Sequence, residues 1–246
     1  MSENIVRIVD YKKPNLKGSV IIDGIPMVSL SSAIAANYLV SFLNLDQVAA
    51  IDSTLFPPVS MIYAGKPKCP ARVYASEKLK VAVFLSEFVI PLKLSRPLAR
   101  AMLDWCKTRG CSHIITLLAL PLEGVERKVM PEEVFGIGST DEMREKLSEA
   151  GVRQLDYGVI TGLSAILLNE GRLENFDVIT LVTPLYSQAE EYRAAAKLLE
   201  TVNKLVPRLG IDLTELFEEA KKYESMIKTL REQSKSVQPK SPELYI

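Results

Sequence analysis

Long apolar runs that alternate with helical segments constrain this chain more than any other feature. Four runs are nearly continuous in apolar and β-prone residues: GSVIIDGIP at 18–26, KVAVFLSEF at 80–88, SHIITLLAL at 112–120 and FDVITLVTPL at 176–185. They lack the alternation of a half-exposed strand, which is typical of strands buried on both faces. Because helical segments stand between them, the sequence predicts the α/β class, with a mainly parallel or mixed sheet covered on both faces.

Two of the helical segments carry recognisable end signals. In PLARAMLDWCKTRG, Pro97 stands near the start, and Gly110 stands where a left-handed residue ends a helix. In STDEMREKLSEAG, Ser139 and Glu142 have the spacing of a capping box, and Gly151 closes the segment. Both segments are therefore predicted to be helices.

The last third of the chain predicts two long helices. Capping boxes formed by Ser187 with Glu190 and by Asp212 with Glu215 open two segments that carry apolar stripes at helical spacing. We expect a C-terminal helical hairpin that packs on the core or on a neighbouring subunit. The predicted division is an α/β core at 1–185, the helical pair at 186–233, and a polar, proline-bearing tail at 234–246.

Composition excludes several classes of function. Lys plus Arg and Asp plus Glu both total 30, and no cluster of basic residues is interleaved with aromatics, so a nucleic-acid partner is not expected. The start lacks the pattern of a signal peptide, and no apolar run approaches the ~20 residues that span a bilayer. The sequence thus predicts a protein of the cytoplasm with no membrane partner.

The cysteines and the single histidine do not indicate a metal site or a cofactor. Cys69, Cys106 and Cys111 are an odd, widely spaced set, and His113 alone does not complete a zinc site with them. Buried thiols and a packing role for His113 are expected instead. A disulfide between Cys106 and Cys111 remains an alternative if the source organism is hyperthermophilic.

Common catalytic motifs are also missing from the sequence. One edge of the predicted sheet is the alternative place for a ligand site. The chain lacks the nucleophile elbow, the Walker loop and the glycine-rich dinucleotide loop; DGIPMVSLSS holds only Gly24 and predicts a structural turn. Ser86 and Glu87 end a strand where α/β proteins often bind ligands. The residues favour a scaffold over an enzyme, with a small-molecule enzyme or sensor around Gly24 and Glu87 as the alternative.

Several segments in a fixed order resemble a known family. They are DGIPMVSLSSAIAANYLV, AAIDSTLFPPVSMIYAGKPKCPARVYASEKLKVAVFLSEFVIP, LARAMLDWCKTRGCSHIITLLAL, DYGVITGLSAILLNEG and LGIDLTELFEEAKKYESMI. Over roughly residues 16–230 the chain resembles the archaeal proteasome assembly chaperone family. The resemblance implies a three-layer α/β/α fold similar to purine nucleoside phosphorylases, and a self-assembling chaperone of the proteasome core particle rather than an enzyme. The family's glycine-rich turn is not kept, since Ser29 and Ser32 stand where its later glycines are expected.

The extreme C-terminus matches a docking motif within this resemblance. Leu244, Tyr245 and Ile246 form a hydrophobic–Tyr–any-residue ending, by which proteasome activators and assembly factors bind the α-ring. The resemblance implies that the Ile246 carboxylate pairs with a lysine between α-subunits while Tyr245 packs at the pocket wall. Because one such tail binds weakly, several tails on a homo-oligomer are expected. The alternative is that these three residues fold back onto their own domain.

Overall fold

A computed structural model describes residues 5–122 and 133–236, with side chains described as far as residue 226. The strands are β1 (Val6–Asp10), β2 (Val20–Gly24), β3 (Asp46–Ser53), β4 (Met61–Tyr63), β5 (Lys66–Lys68), β6 (Ala71–Ser76), β7 (Val81–Ser86), β8 (His113–Pro121), β9 (Phe135–Gly138) and β10 (Asp177–Leu185). The helices are α1 (Ser31–Phe42), α2 (Ser95–Thr108), α3 (Asp141–Glu149), α4 (Gly162–Leu173), α5 (Glu191–Leu205) and α6 (Thr214–Ser236).

The main sheet has parallel strands at its centre and antiparallel strands at its flanks. Its eight strands run in the order β1-β3-β6-β7-β2-β8-β10-β9, and β4 pairs with β5 in a separate hairpin. The strands β7, β2, β8 and β10 are parallel to one another, whereas β1, β3, β6 and β9 pair antiparallel with their neighbours. The predicted buried runs at 18–26, 80–88, 112–120 and 176–185 correspond to the four parallel strands β2, β7, β8 and β10, which explains why they lack alternation.

Helices cover both faces of this sheet. On one face, α1, α3 and α5 contribute Leu39, Leu147 and Leu199 to a continuous apolar core. On the other face, α2 and α4 contribute Leu98 and Leu167 to a second core. The predicted α/β class with three layers and a mixed sheet is therefore confirmed, while the likeness to purine nucleoside phosphorylases stays a prediction.

The two C-terminal helices are present and pack against each other. Helix α5 lies on the sheet with its buried stripe, and α6 lies against α5. Arg193 binds Glu224 through two hydrogen bonds of 2.7 Å, and the rings of Tyr192 and Tyr223 lie 5.1 Å apart. At the helix junction, Asn203 donates to the Ile211 carbonyl and accepts from its N–H. These contacts hold the first three turns of α6 against the body of the protein.

Helix start signals were predicted less accurately than the helices themselves. The N-cap of α3 is Thr140, whose hydroxyl accepts from the Met143 N–H, so the prediction of a Ser139 cap was wrong by one residue. Ser139 is buried and bridges strands instead: its hydroxyl accepts from the Val178 N–H and donates to the Phe176 carbonyl. Because a buried hydroxyl group must be hydrogen-bonded, Ser139 bonds these backbone groups, and Thr140 caps the helix.

Candidate functional site

The carboxyl ends of β2 and β8 form the position where an α/β sheet usually binds a ligand. After β2 the chain crosses through α1 to β3, on one side of β2 in the sheet, whereas after β8 it runs through β9, α3 and α4 to β10, on the other side. Strands whose connections diverge in this way leave a crevice outside their carboxyl ends. The alternative hypothesis placed its site here, around Gly24 and Glu87.

Gly24 serves the close packing of α1 on β2. A Cβ atom at this position would lie 2.2 Å from the Cβ of Ala36 and 2.8 Å from the carbonyl oxygen of Ser32. Any side chain would therefore push the helix off the strand, since such approaches are not tolerated. The small residues of α1 allow this approach, so the sequence requirement at Gly24 is explained by packing.

The crevice beside Gly24 is filled by side chains of the protein. Ile25, Met27, Leu117 and Leu118 line a cavity of about 10 Å³, which is close to the minimum for a single water molecule. At the mouth of α1, where an anion would bind, the Glu191 carboxylate accepts from the Leu30 N–H at 3.2 Å and from the Ser31 hydroxyl. The described residues thus leave no room for a phosphate or a nucleoside at this end of α1.

Glu87 is the counter-ion of a buried arginine. Its carboxylate pairs with Arg72, whose side chain is buried within the sheet, and Arg72 Nη1 donates to the Cys69 carbonyl at 2.9 Å. The neighbouring Ser86 hydroxyl donates to the Phe88 carbonyl at 2.8 Å, closing a local turn. A charge buried in this way must be neutralised, so Glu87 has a structural task.

A buried acid that the sequence reasoning missed lies one residue before Gly24. Asp23 Oδ1 accepts from the Ile25 N–H at 3.1 Å, and the Thr116 hydroxyl also bonds the carboxyl group. Thr116 in turn lies 2.7 Å from the Ser164 hydroxyl on α4. Burial raises the pKa of Asp23 to about 7, against the smaller lowering effect of these hydrogen bonds. The signal available in the sequence was a single acid inside the apolar run VIIDG.

His113 lies at the opposite, amino-terminal edge of the sheet. Lys146 Nζ, which can only donate, lies 3.2 Å from Nε2, so the imidazole proton sits on Nδ1, which lies 2.9 Å from the Ser112 hydroxyl. Burial, together with the smaller effect of the charges of Lys146 and Arg208, lowers the pKa of His113 to about 3. A neutral, buried imidazole far from the filled crevice has a packing and hydrogen-bonding role.

The cysteines are free thiols. Cys106 and Cys111 are both buried, and their side chains are hydrogen-bonded to each other. Burial raises the pKa of the Cys106 thiol. Within residues 5–122 and 133–226, no three His, Cys, Asp or Glu side chains are grouped to hold a metal ion.

The predicted docking residues Leu244, Tyr245 and Ile246 lie outside the described residues. The structure describes the helix that precedes them in the chain, α6. Helix α6 ends at Ser236, ten residues before the C-terminus. A chain of that length spans at most about 33–36 Å when extended.

Among the described residues, the layers, the filled ends of β2 and β8 and the paired Glu87 define a three-layer α/β/α protein in which side chains occupy the usual ligand crevice. Its sequence places it more narrowly: residues 21–231 match the model of the PAC2 family, and the chain belongs to that family. The predicted membership in the proteasome assembly chaperone family is thereby confirmed.

Known proteins of similar sequence and structure support this placement. The chain is 26% identical over 240 residues to an uncharacterized protein of Methanocaldococcus jannaschii, covering 98% of this chain and 97% of that one. It is similar to Pyrococcus furiosus PbaA, an archaeal homolog of proteasome-assembly chaperone, with TM-score 0.80, 28% identity and coverage of 94% and 93%. It shares its fold with Pyrococcus furiosus PbaB, an archaeal proteasome activator, at TM-score 0.75, 22% identity and coverage of 93% and 99%. No helix in the described ranges is long and apolar enough to cross a membrane.

Proposed function

We propose that this protein is a non-enzymatic proteasome assembly chaperone, or another proteasome-interacting protein, that docks on the α-ring of the core particle through Leu244, Tyr245 and Ile246. The observation that carries the proposal is its membership in the PAC2 family over residues 21–231, joined to its likeness to PbaA over nearly its whole length. The partner is the set of α-subunits, and each contact site is the cleft between two of them.

The chemistry of the tail suits such a cleft. A chain end presents a main-chain carboxylate directly after its last side chains, and a lysine in a pocket recognises that carboxylate by charge. The ring of Tyr245 supplies a large apolar area and a hydroxyl that forms a hydrogen bond at the pocket wall. Leu244 adds apolar contact.

A non-enzymatic role is supported by the sheet edge. The cavity beside Gly24 measures about 10 Å³, Glu87 is paired with Arg72, and the single histidine lies at the other edge of the sheet. A catalytic site needs a cavity in which polar groups converge on a substrate. The small-molecule hypothesis therefore has no specific observation in its favour among the described residues.

Self-association belongs to the same proposal. Three residues that must be ordered on binding give a weak contact, and several tails on one assembly raise the effective concentration of the rest. We propose a homo-oligomer whose subunits contact one another through the C-terminal helical pair.

The proposal is tested by binding to proteasome α-subunits from the same source. Three forms are compared by surface plasmon resonance: the intact chain, a chain ending at Glu243, and Tyr245→Ala. We expect both altered forms to lose affinity by about ten-fold or more, because the tail supplies the anchor. The matched control is Tyr157→Ala, which removes a tyrosine that is 93% exposed on a loop outside the tail. Equal binding by the intact, shortened and Tyr245→Ala chains would contradict docking by the tail.

A further inference from the structure

A groove lies between α1 and the first turns of α6. It measures about 520 Å³, and its lining comes from α1, from Tyr192 on α5 and from Glu215, Leu216 and Glu219 on α6. A cleft of this size can hold a long side chain together with its neighbours. Leu216 is buried, so the more exposed side chains of the groove decide what can bind there.

One wall of the groove is aromatic. Tyr38 and Phe42 are one turn apart on α1, their ring centroids lie 6.0 Å apart, and their planes differ by 12°. The Tyr38 hydroxyl donates to the Asp212 carbonyl at 2.5 Å, which holds the ring in place, and Phe42 is 41% exposed. Because the face of an aromatic ring carries negative potential, a cation that lies against it is stabilised.

The wall supplied by α6 is acidic. Glu215 and Glu219 are one turn apart and both exposed. Among the described residues, no lysine or arginine lines the groove or forms an ion pair with either glutamate, whereas the nearby Glu224 is bound by Arg193. The helix dipole favours an acid in the first turn, where Glu215 stands, but it does not account for Glu219 in the second.

The two walls are close enough to act on one ligand. The pKa of Tyr38 is raised, first by burial and then by nearby carboxylates, those of Glu215 and Glu219 among them. The negative charge of α6 therefore reaches the aromatic rings of α1. A ligand that satisfies both walls must be a cation with a flat apolar face.

We propose that this groove binds an arginine side chain on a basic segment of a partner protein. The planar guanidinium stacks on the rings of Tyr38 and Phe42 while its N–H groups donate to the carboxylates of α6. Lysine fits less well, because its ammonium group is a compact, strongly hydrated charge without a flat face.

The inference goes beyond the proposed function. Docking by the tail presents a carboxylate to a partner, whereas this groove recognises a cation. The two contacts are therefore chemically distinct and do not compete. The groove gives the protein a second surface for a partner, formed by folded elements and not by the chain end.

The groove is tested with a fluorescein-labelled peptide, GGSRRSGG, titrated onto the full chain at low salt and followed by fluorescence polarisation. We expect saturable binding that weakens at least about ten-fold when citrulline replaces the arginines, since citrulline keeps the shape and removes the charge. Glu215→Gln together with Glu219→Gln is expected to weaken binding at least about five-fold, and Phe42→Ala about three-fold.

The matched control changes the net charge equally at another place. Glu145→Gln together with Glu149→Gln removes two exposed glutamates of the same spacing on α3, which do not line the groove, and should leave affinity unchanged. In the variant that lacks both α6 carboxylates, the citrulline exchange should have a smaller effect, because the partners of the guanidinium are gone. A chain ending at Glu243 should bind the peptide as the intact chain does, so that the groove and docking by the tail are tested separately.

Four outcomes would overturn the assignment. They are absence of saturation up to about 2 mM peptide, an equal loss of affinity from the α3 pair, equal binding of the citrulline peptide, and tighter binding of the free polyamine spermidine than of the peptide. Sedimentation velocity adds a fifth: a change in self-association on altering the α6 pair, with peptide binding unaffected, would assign the groove to a contact between copies of the chain.

Discussion

Asp23 is a carboxyl group inside the sheet, and it makes the stability of the protein depend on pH. Its pKa is raised to about 7 in the folded state, mainly by burial, from an ordinary value near 3.8. Between these values the folded state keeps a proton that the unfolded state has released. The free energy of unfolding therefore falls as pH rises from about 4 to about 7, by at most about 1.4 kcal/mol per pH unit.

The substitution Asp23→Asn should remove this slope. The amide oxygen can still accept from the Ile25 N–H, while the group no longer ionises. We expect the variant to gain stability relative to the native chain as pH rises from about 5 to about 8, measured by urea unfolding at several pH values. Asp104→Asn, exposed on α2, is the control. Parallel pH profiles for the native chain and Asp23→Asn would show that the carboxyl group does not carry the effect.

His113 acts in the opposite direction at the same scale. Its pKa is lowered to about 3, so below about 6.5 the unfolded state gains a proton that the folded state does not. Stability attributable to His113 is thus lost as pH falls from about 6.5 toward 3. Because both proteins keep His113, the difference between the native chain and Asp23→Asn isolates the contribution of Asp23.

Within a single element, the start of α3, the neighbouring hydroxyl groups of Ser139 and Thr140 have different roles. Thr140 caps the helix and also donates to the Asp177 carboxylate at 2.6 Å, whereas Ser139 bonds the backbone of Val178. Helix prediction from the sequence succeeded because the periodicity of α3 is local. The choice of cap could not be predicted because it depends on where β10 lies.

Thr140→Ala and Ser139→Ala are expected to differ in which amide they expose. Thr140→Ala should cost about 0.5–2 kcal/mol and speed hydrogen exchange at the Met143 amide. Ser139→Ala should cost about 1–3 kcal/mol and speed exchange at the Val178 amide, since it leaves buried backbone groups unpaired. Exchange followed residue by residue by NMR distinguishes them. If Ser139→Ala exposed Met143 instead, the cap would belong to Ser139 as the sequence pattern suggested.

At the scale of the whole molecule, stability should be distributed from the centre of the sheet outward. The four parallel strands lie between two apolar cores, while the hairpin of β4 and β5 belongs to a separate two-stranded sheet with Ile62 and Tyr63 exposed. Local opening requires little free energy where few apolar contacts break.

Hydrogen exchange followed by mass spectrometry should therefore show two regimes. Amides of β2 and β8 are expected to exchange only with global unfolding, and amides at 61–68 to exchange earliest among the strands. Protection of 61–68 equal to that of β8 would contradict this distribution.

The class of the fold, the order of the main strands and helices along the chain, and the family could all be predicted from the amino-acid sequence. Apolar periodicity and helix spacing are local properties, so they can be read without knowing which elements touch. The motif at Leu244 to Ile246 is likewise local, and its role in docking stays a prediction.

The roles of Glu87, Gly24, Ser139 and Asp23 became clear only from the packed structure. Each depends on an element distant in the chain: Arg72 neutralises Glu87, α1 closes on Gly24, β10 engages Ser139, and β8 and α4 surround Asp23. Burial and pairing across long separations are products of packing, and no local pattern carries them.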